Sequence, residues 1–186
     1  MNRFTPHVFW LFGLSGAGKS TLATRLGESL RDDGKPVLML DGDALRAGLC
    51  AGLGFSDADR AENLRRAAET AKLALQSQLC VVASFITPLS ANRALVRSVV
   101  PHSSLSFIYL NAPLEVCVAR DVKGLYARAN AGGVKHMTGI SSGFEPPAAA
   151  DLVLDTSRDS VDASAARLLD FARDRLGAGT GDPFLA

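Results

Sequence analysis

A glycine-rich segment between a strand-like run and a helix-like run constrains this chain more than any other feature. The segment 13–20 reads GLSGAGKS and matches the pattern GxxxxGK[ST]. An apolar run over 7–12 predicts a strand before it, and a helical pattern over Lys19–Asp32 follows it. In that setting the pattern predicts a phosphate-binding loop, and an accidental glycine-rich turn is the lesser alternative.

Each part of this loop suits a nucleoside triphosphate. Glycines let successive backbone N–H groups turn toward phosphate oxygens, and the helix N-terminus adds partial positive charge. The pattern predicts that Lys19 reaches the β and γ phosphates and that Ser20 binds Mg²⁺. We therefore expect ATP and Mg²⁺ as cofactors. The expected ATP site includes Gly13, Ser15, Gly16, Ala17, Gly18, Lys19, Ser20 and Thr21.

Short apolar runs alternate with helical patterns along most of the chain. Strands are predicted over 7–12, 37–40, 80–86, 105–110 and 152–154, and helices over 19–32, 56–78, 90–99, 113–121 and about 160–176. Such alternation predicts right-handed crossovers and a doubly wound α/β fold, with a parallel sheet of about five strands, of the P-loop nucleotide kinase type. Ligands of such sheets bind at the carboxyl ends of the strands.

The composition fits one globular domain covering residues 1–186. Apolar residues make up 47% of the chain and charged residues 21%, which excludes a disordered or fibrous chain. The net charge of +1 favours neither a nucleic acid nor a membrane surface as a partner. No apolar run is long enough for a transmembrane segment, and the three cysteines lack paired spacing, so we expect reduced, buried thiols. These features predict a cytoplasmic protein.

Two carboxylates, Asp41 and Asp43, follow the second predicted strand. Because parallel strands end at the same edge of a sheet, we expect both near the phosphate-binding loop. A carboxylate there can orient an attacking hydroxyl and accept its proton, or hold a metal ion through water. Asp-Gly-Asp is also a common turn sequence. The neighbouring loop favours a chemical role, and the pattern does not say which aspartate has it.

The segment that follows predicts a helix with a polar flank. Residues 56–59 form a capping box, so the helix is expected to begin at Asp57. Helical spacing sends one set of residues to the core: Ala61, Leu64, Ala68, Ala71 and Leu75. Arg60 and Asn63 then lie at the flank of the first turns, where they either bind an anionic substrate or form a solvated polar face. Phe55 suits either the site or the core.

Two stretches interrupt the alternation of strands and helices. Residues 124–147 are rich in Gly, Ala, Ser and Pro and too long for a simple connection, which predicts a mobile lid over about 123–147. Residues 177–186 have no periodicity and predict a loose C-terminal tail. The three histidines lack metal-ligand spacing, so we expect them on the surface or in packing: His7, His102 and His136.

Several motifs, in order along nearly the whole chain, resemble those of the adenylylsulfate kinase family. They are Gly13 to Thr21, Leu40 to Asp43 with Arg46 and Gly48-Leu49, Gly54-Phe-Ser56 with Asp59-Arg60 and Glu62 to Arg66, Arg120-Asp121 with Lys123 to Tyr126, and Thr138-Gly-Ile140. The resemblance implies sulfate assimilation chemistry: transfer of the γ-phosphoryl group of Mg·ATP to the 3′-hydroxyl of adenosine 5′-phosphosulfate. It also allows a homodimer, since kinases of this family often pair.

The resemblance further implies roles for single residues. Asp43 would be the catalytic base, and it could also bind Mg²⁺ through a water molecule. Lys19 and Lys123 would be the other catalytic residues, with Lys123 at the hinge of the lid stabilising charge on the transferring phosphoryl group. Arg120 would lie beside the base of ATP. The acceptor site would comprise Asp41, Asp43, Arg46, Phe55, Arg60, Asn63, Ile86, Thr87, Lys123, Met137 and Thr138, with Phe55 stacking on adenine.

The chain also departs from the family pattern. Thr87 stands where the family usually has serine, a position sometimes labelled a phosphoenzyme site, so we expect direct transfer with no covalent step. Met137 stands where phenylalanine would give the acceptor base a second aromatic wall, although a thioether contact of about 0.3–1.5 kcal/mol can replace aromatic pairing. Asn130, Gly133, Ser141 and Phe144 replace the usual Arg, Glu, Asp and Tyr. Two alternatives therefore remain: a 3′-hydroxyl kinase for another small nucleotide, and a non-catalytic nucleotide-binding regulatory module.

Overall fold

A five-stranded sheet forms the centre of the computed structural model, which describes residues 4–121, 124–130, 138–139 and 142–177. The strands are β1 (Val8–Phe12), β2 (Val37–Asp41), β3 (Cys80–Phe85), β4 (Leu105–Asn111) and β5 (Leu152–Asp155). All neighbouring strands pair in parallel, in the spatial order β2-β3-β1-β4-β5. The predicted fold is confirmed, and β1, which leads into the glycine-rich loop, lies in the middle of the sheet.

Seven α-helices and one short 3-10 helix, His102–Ser104, accompany the sheet within the described part of the chain. The α-helices are α1 (Lys19–Asp32), α2 (Gly42–Ala47), α3 (Asp57–Gln76), α4 (Ser90–Val99), α5 (Leu114–Arg120), α6 (Leu125–Asn130) and α7 (Val161–Gly177). The five predicted helices are confirmed with bounds within two residues, and α3 begins at Asp57 as expected. The predicted tail began one residue too early, because Gly177 is the last residue of α7 and residues 178–186 lie outside the described part.

Helices α2 and α6 were not predicted. Each has only six residues, which is too short for a helical periodicity to be recognised in the sequence. Within the predicted lid, the structure describes 124–130, 138–139 and 142–147, and α6 occupies the first of these segments. In the parts of the chain that the structure describes, no helix combines the length and apolar character that crossing a bilayer requires.

Side chains of β1 alternate between two hydrophobic layers. Phe9 and Leu11 pack with residues of α1 and α7 on one face, whereas Val8, Trp10 and Phe12 pack with residues of α3 and α4 on the other. All five side chains are fully buried. A central strand covered on both faces leaves only its carboxyl end open for a ligand, which places the site at the loop after Phe12.

Predictions about the histidines and cysteines can be compared with the structure at the described positions. His7 is buried and its Nε2 lies 2.8 Å from Ser106 Oγ. Burial and the nearby Arg175 charge lower the pKa of His7 to about 4. His102 is exposed, and His136 lies outside the described residues. The prediction of reduced, buried thiols is confirmed for all three cysteines: Cys50, Cys80 and Cys117.

The buried face of α3 follows the predicted periodicity with one exception. Leu64, Ala68, Ala71 and Leu75 are buried, while Ala61 is half-buried. The helix is capped at Ser56, whose Oγ accepts from the backbone N–H of Asp59 at 3.2 Å and also lies 2.6 Å from the carboxylate of that residue. This firm start fixes the orientation of the first turns, which line the candidate site.

Candidate active site

A cavity of about 770 Å³ lies at the carboxyl edge of the sheet. The loop after β1, the ends of β2 and β3, the start of α3, the end of α5 and part of α6 line it. It gathers most of the predicted site residues: Ser15, Gly16, Ala17, Gly18, Lys19, Ser20, Thr21, Asp41, Asp43, Arg46, Phe55, Arg60, Asn63, Ile86, Thr87, Arg120 and Thr138. Gly13 shapes the loop without lining the cavity, and Lys123 and Met137 lie outside the described residues.

The glycines of the loop allow backbone conformations that other residues rarely adopt. Gly16 and Gly18 have φ angles of +78° and +91°. A Cβ atom at Gly16 would lie 2.8 Å from the carbonyl oxygen of Cys117, and one at Gly13 would lie 2.6 Å from that of Leu110. The loop therefore passes too close to α5 and β4 for side chains at these two positions.

Side chains bond to four consecutive carbonyl groups of the loop. The pairs are Lys19 Nζ to Leu14 O at 2.7 Å, Tyr126 Oη to Ser15 O at 2.9 Å, Arg120 Nη1 to Gly16 O at 3.4 Å and Thr156 Oγ1 to Ala17 O at 3.0 Å. Sequence reasoning missed Tyr126 and Thr156. Tyr126 is part of the Lys-Gly-Leu-Tyr motif, and Thr156 directly follows β5 at the ligand-binding edge, which are the signals that point to them.

Asp41, the last residue of β2, accepts four hydrogen bonds, from donors in α1, α2 and β3. One oxygen, Oδ1, caps α2 by accepting from the backbone N–H groups of Asp43 at 3.0 Å and Ala44 at 3.3 Å. The other, Oδ2, accepts from Ser84 Oγ at 2.7 Å and from Ser20 Oγ at 3.2 Å. Burial opposes ionisation of Asp41, but these four donors outweigh it and lower its pKa.

Asp43 has a different environment although it is only two residues away. It is exposed in the first turn of α2 and lines the cavity. Asp41 is half-buried and held at the end of β2. The two aspartates that the sequence could not distinguish therefore differ in exposure and in the groups that hold them.

An exposed aromatic ring and two arginines beside it also line the cavity. Phe55 is 53% exposed, so the alternative that it belongs to the core is wrong. The guanidinium carbons of Arg46 and Arg60 lie 4.5 Å and 5.7 Å from the centre of its ring. Burial and the neighbouring Arg46 charge lower the pKa of Arg60. Such a cluster suits an anion with a planar ring.

Backbone carbonyls hold both arginines in place. Arg46 Nη1 donates to the carbonyls of Gly54 at 2.6 Å and Leu53 at 3.3 Å, and Arg60 Nε donates to that of Phe55 at 3.0 Å. These bonds fix the guanidinium groups before any ligand arrives. They hold the Arg60 side chain at the cavity, and its role in binding an anionic substrate stays a prediction.

Asn63 is buried, whereas the sequence placed it at the flank of α3. Its side chain is 5% exposed and lines the cavity, so it faces inward between the core and the site. Its Oδ1 atom has no hydrogen-bond partner within the described residues. A buried amide oxygen without a partner is unfavourable unless water or a ligand bonds to it. This observation favours the binding role over the solvated surface.

The segment after β3 borders the cavity. Thr87, the neighbour of Ile86, has a left-handed φ of +44°, which is unusual for a β-branched residue. Its Oγ1 is buried and accepts from Trp10 Nε1 at 2.9 Å. The buried Arg93, which sequence reasoning did not single out, donates to the carbonyls of Thr87 and Pro88, both at 3.2 Å. These bonds hold the strained segment in one conformation.

Arg120 and Thr138 line the cavity from the side of the predicted lid. Arg120 donates to Gly16 O and also to Thr156 O at 2.5 Å, so it connects the end of α5 to the loop and to the end of β5. Thr138 is 1% exposed, and its Oγ1 has no partner among the described residues. Both predicted positions therefore lie at the cavity.

Comparison with known proteins connects this geometry to a family. A family model described as adenylylsulphate kinase matches residues 5–155. This chain belongs to the adenylylsulphate kinase family. An adenylyl-sulfate kinase of Paraburkholderia xenovorans is 51% identical over 162 residues, which cover 87% of this chain and 90% of that protein. One of Marinobacter nauticus is 44% identical over 170 residues, covering 91% and 85%.

A solved structure of the same family has the same fold. The Mycobacterium tuberculosis APS kinase CysC, in complex with AMPPNP and APS, has a TM-score of 0.86 and 41% sequence identity, covering 91% of this chain and 98% of that one. Membership of the adenylylsulphate kinase family confirms the prediction of an ATP-dependent P-loop kinase. The roles of individual residues remain predictions.

Proposed function

We propose that this chain is an adenylylsulfate kinase, which transfers the γ-phosphoryl group of ATP to the 3′-hydroxyl of adenosine 5′-phosphosulfate. The products are 3′-phosphoadenosine 5′-phosphosulfate and ADP. The observation that carries the proposal is one cavity lined both by the phosphate-binding loop and by the Arg46–Phe55–Arg60 cluster, with two carboxylates, Asp41 and Asp43, also in its wall. A solved relative bound to APS and to AMPPNP, an analogue of ATP, supports the same pairing of substrates.

The donor side binds the triphosphate. In this proposal the N–H groups of the loop and Lys19 bind the phosphates, and Arg120 lies beside the adenine of ATP. Ser20 Oγ and Asp41 Oδ2, 3.2 Å apart, are the hard oxygen donors that Mg²⁺ prefers, so this pair fits the ion, with Asp43 as a further contact through water. Bound Mg²⁺ would neutralise charge on the phosphate oxygens.

The acceptor side binds a second nucleotide. Phe55 would stack on the adenine of the acceptor, while Arg46, Arg60 and Asn63 bind its phosphosulfate and ribose. The fixed guanidinium groups support these roles, as does Asn63 Oδ1, which has no hydrogen-bond partner in the described part of the chain. Ile86 and Thr87 would border the acceptor, and residues of the lid would close over it: Lys123, Met137 and Thr138.

The transfer is direct in this proposal. Asp43 accepts the proton of the 3′-hydroxyl while that oxygen bonds to the γ-phosphorus, and the bond to the β,γ-bridging oxygen breaks so that ADP leaves with its electron pair. Lys19 and Lys123 stabilise charge on the transferring group. The buried Thr87 hydroxyl, bonded to Trp10, supports a route without a phosphoenzyme.

A coupled assay of ADP release tests the proposal. Mg·ATP is offered with adenosine 5′-phosphosulfate, and in parallel with other nucleotides that have a free 3′-hydroxyl. We expect release that depends on the phosphosulfate at micromolar concentrations. Preference for another nucleotide would keep the kinase and change the acceptor, and binding of ATP without any turnover would favour the regulatory module.

We also propose that residues 1–186 form one kinase domain, that the chain works in the cytoplasm, and that it pairs as a homodimer. ATP as donor and the three free cysteines support the location. Light scattering tests the pairing: a dimer has twice the 19.5 kDa mass of one chain.

A further inference from the structure

Three side chains from outside the phosphate-binding loop bond to its backbone carbonyls. We call Arg120, Tyr126 and Thr156 the loop clamp. They lie at the end of α5, in α6 and directly after β5. The three residues donate to the carbonyls of Gly16, Ser15 and Ala17 respectively. Three separate elements of the fold therefore hold one short loop.

A carbonyl that is held by a side chain determines where the next N–H group points. The peptide unit is planar and trans, so its C=O and N–H bonds point in opposite directions. The Tyr126 bond to Ser15 O therefore turns the N–H of Gly16 away from Tyr126, and the Thr156 bond to Ala17 O turns the N–H of Gly18 away from Thr156. The N–H groups of such a loop are the ones that bind phosphate oxygens.

The loop needs such support because its glycines are conformationally free. Gly16 and Gly18 both have positive φ, and glycine adopts the opposite sign of φ about as readily. Without a partner on Ser15 O or Ala17 O, the adjoining peptide units can rotate, and their N–H groups then leave the phosphate-binding orientation. A hydrogen bond from a rigid side chain prevents this rotation.

The two hydroxyls of the clamp are themselves well fixed. Tyr126 is 1% exposed and Thr156 is 8% exposed. Asp121 accepts from the backbone N–H groups of Tyr126 at 3.0 Å and Ala127 at 2.9 Å, which anchors the start of α6. Burial raises the pKa of Tyr126 to about 12, so its hydroxyl remains a donor at neutral pH.

We propose that Tyr126 and Thr156 are positioning residues for the nucleotide phosphates, which they serve by holding the N–H groups of Gly16 and Gly18 in the phosphate-binding orientation. Neither side chain has to touch the nucleotide for this effect. The inference rests on ATP as the donor in the proposed function and is independent of the acceptor.

Two substitutions that remove only a hydroxyl group test this role. Tyr126→Phe keeps the buried ring, and Thr156→Val keeps the branched shape. Isothermal titration compares ADP, which carries phosphates, with adenosine, which does not. We expect each variant to bind ADP about fivefold more weakly, the effect of one hydrogen bond, and to bind adenosine within about twofold of the wild type.

Steady-state kinetics gives a second readout. The KM for ATP should rise about fivefold in each variant, while the KM for the acceptor changes less than about twofold. Matched controls are Tyr109→Phe, which removes a hydroxyl 3.3 Å from Asn111 Oδ1, and Thr70→Val, which removes one 2.8 Å from Arg66 O. Both hydroxyls bond away from the loop, so the controls should leave ADP binding unchanged.

The outcomes separate the clamp from the proposed function. Unchanged ADP affinity in folded variants, or an equal loss for ADP and adenosine, overturns the clamp even if the wild type is an active kinase. A wild type that binds no ADP overturns the use of ATP and the clamp with it. Circular dichroism checks folding, and if one variant does not fold, the other decides the question alone.

Discussion

Acidification should destabilise the fold through His7. The ring is 5% exposed, and its pKa falls from 6.5 to about 4 because burial disfavours the charged form and Arg175 repels it, against a smaller opposing effect of Asp151. At 1.36 kcal/mol for each unit of pKa, the difference corresponds to about 3 kcal/mol. This is a large part of the stability of a typical domain.

The direction follows from which state binds the proton. Above pH 6.5 His7 is neutral in both states, and the full stability is present. Between pH 6.5 and about 4 the unfolded chain takes up a proton at His7 and the folded chain does not, so the free energy of unfolding falls as the pH falls. Below about pH 4 both states are protonated, and no further loss comes from this residue.

Urea denaturation at several pH values between 7.5 and 4.5 measures the effect. His7→Gln retains an amide that can bond to Ser106 Oγ but cannot be protonated. We expect the wild type to lose about 2.5 kcal/mol more than the variant across this range, because the rest of the effect appears only below pH 4.5. Carboxylates titrate in both proteins, so their effect cancels in the comparison. Equal pH dependence in wild type and His7→Gln would show that protonation of His7 does not control acid stability.

Three kinetic predictions test the proposed roles in the same coupled assay. Asp43→Asn should lower kcat about 100-fold or more with little change in either KM, because an amide cannot accept the proton; unchanged turnover would remove Asp43 from the mechanism. Arg60→Ala should raise the KM of the acceptor about tenfold and leave that of ATP unchanged, since a charged hydrogen bond is lost only on the acceptor side. Met137→Phe should lower the KM of the acceptor severalfold by adding an aromatic wall, and an unchanged KM would contradict stacking at that position.

Much of the fold could be predicted because its signals are local. Local sequence patterns of a few neighbouring residues predict several elements: the buried strand over Val8–Phe12, the glycine-rich loop after it and the capped helix beginning at Asp57. Alternation of such elements then predicts the parallel sheet. The motifs of the site could be recognised for the same reason, since each spans only a short segment.

The remaining features depend on contacts between distant parts of the chain. Tyr126 and Ser15 are 111 residues apart, and Thr156 and Ala17 are 139 apart, so no sequence pattern connects them. Asn63 has the spacing of a flank residue, yet its side chain is buried because it faces the cavity beside the first turns of α3. These contacts and the burial of Asn63 depend on the tertiary structure, which local sequence patterns do not specify.

The contacts of the two aspartates favour different tasks for them. Asp41 accepts from four donors, which lower its pKa, and a carboxylate stabilised in its ionised form is a weak proton acceptor. The same bonds make Asp41 a rigid anchor for Ser20 at the proposed position of the ion. Asp43 lies exposed at the start of α2, on the cavity side, where its carboxylate can meet an incoming hydroxyl. The physics therefore favours Asp43 as the base and Asp41 as the support of the metal site.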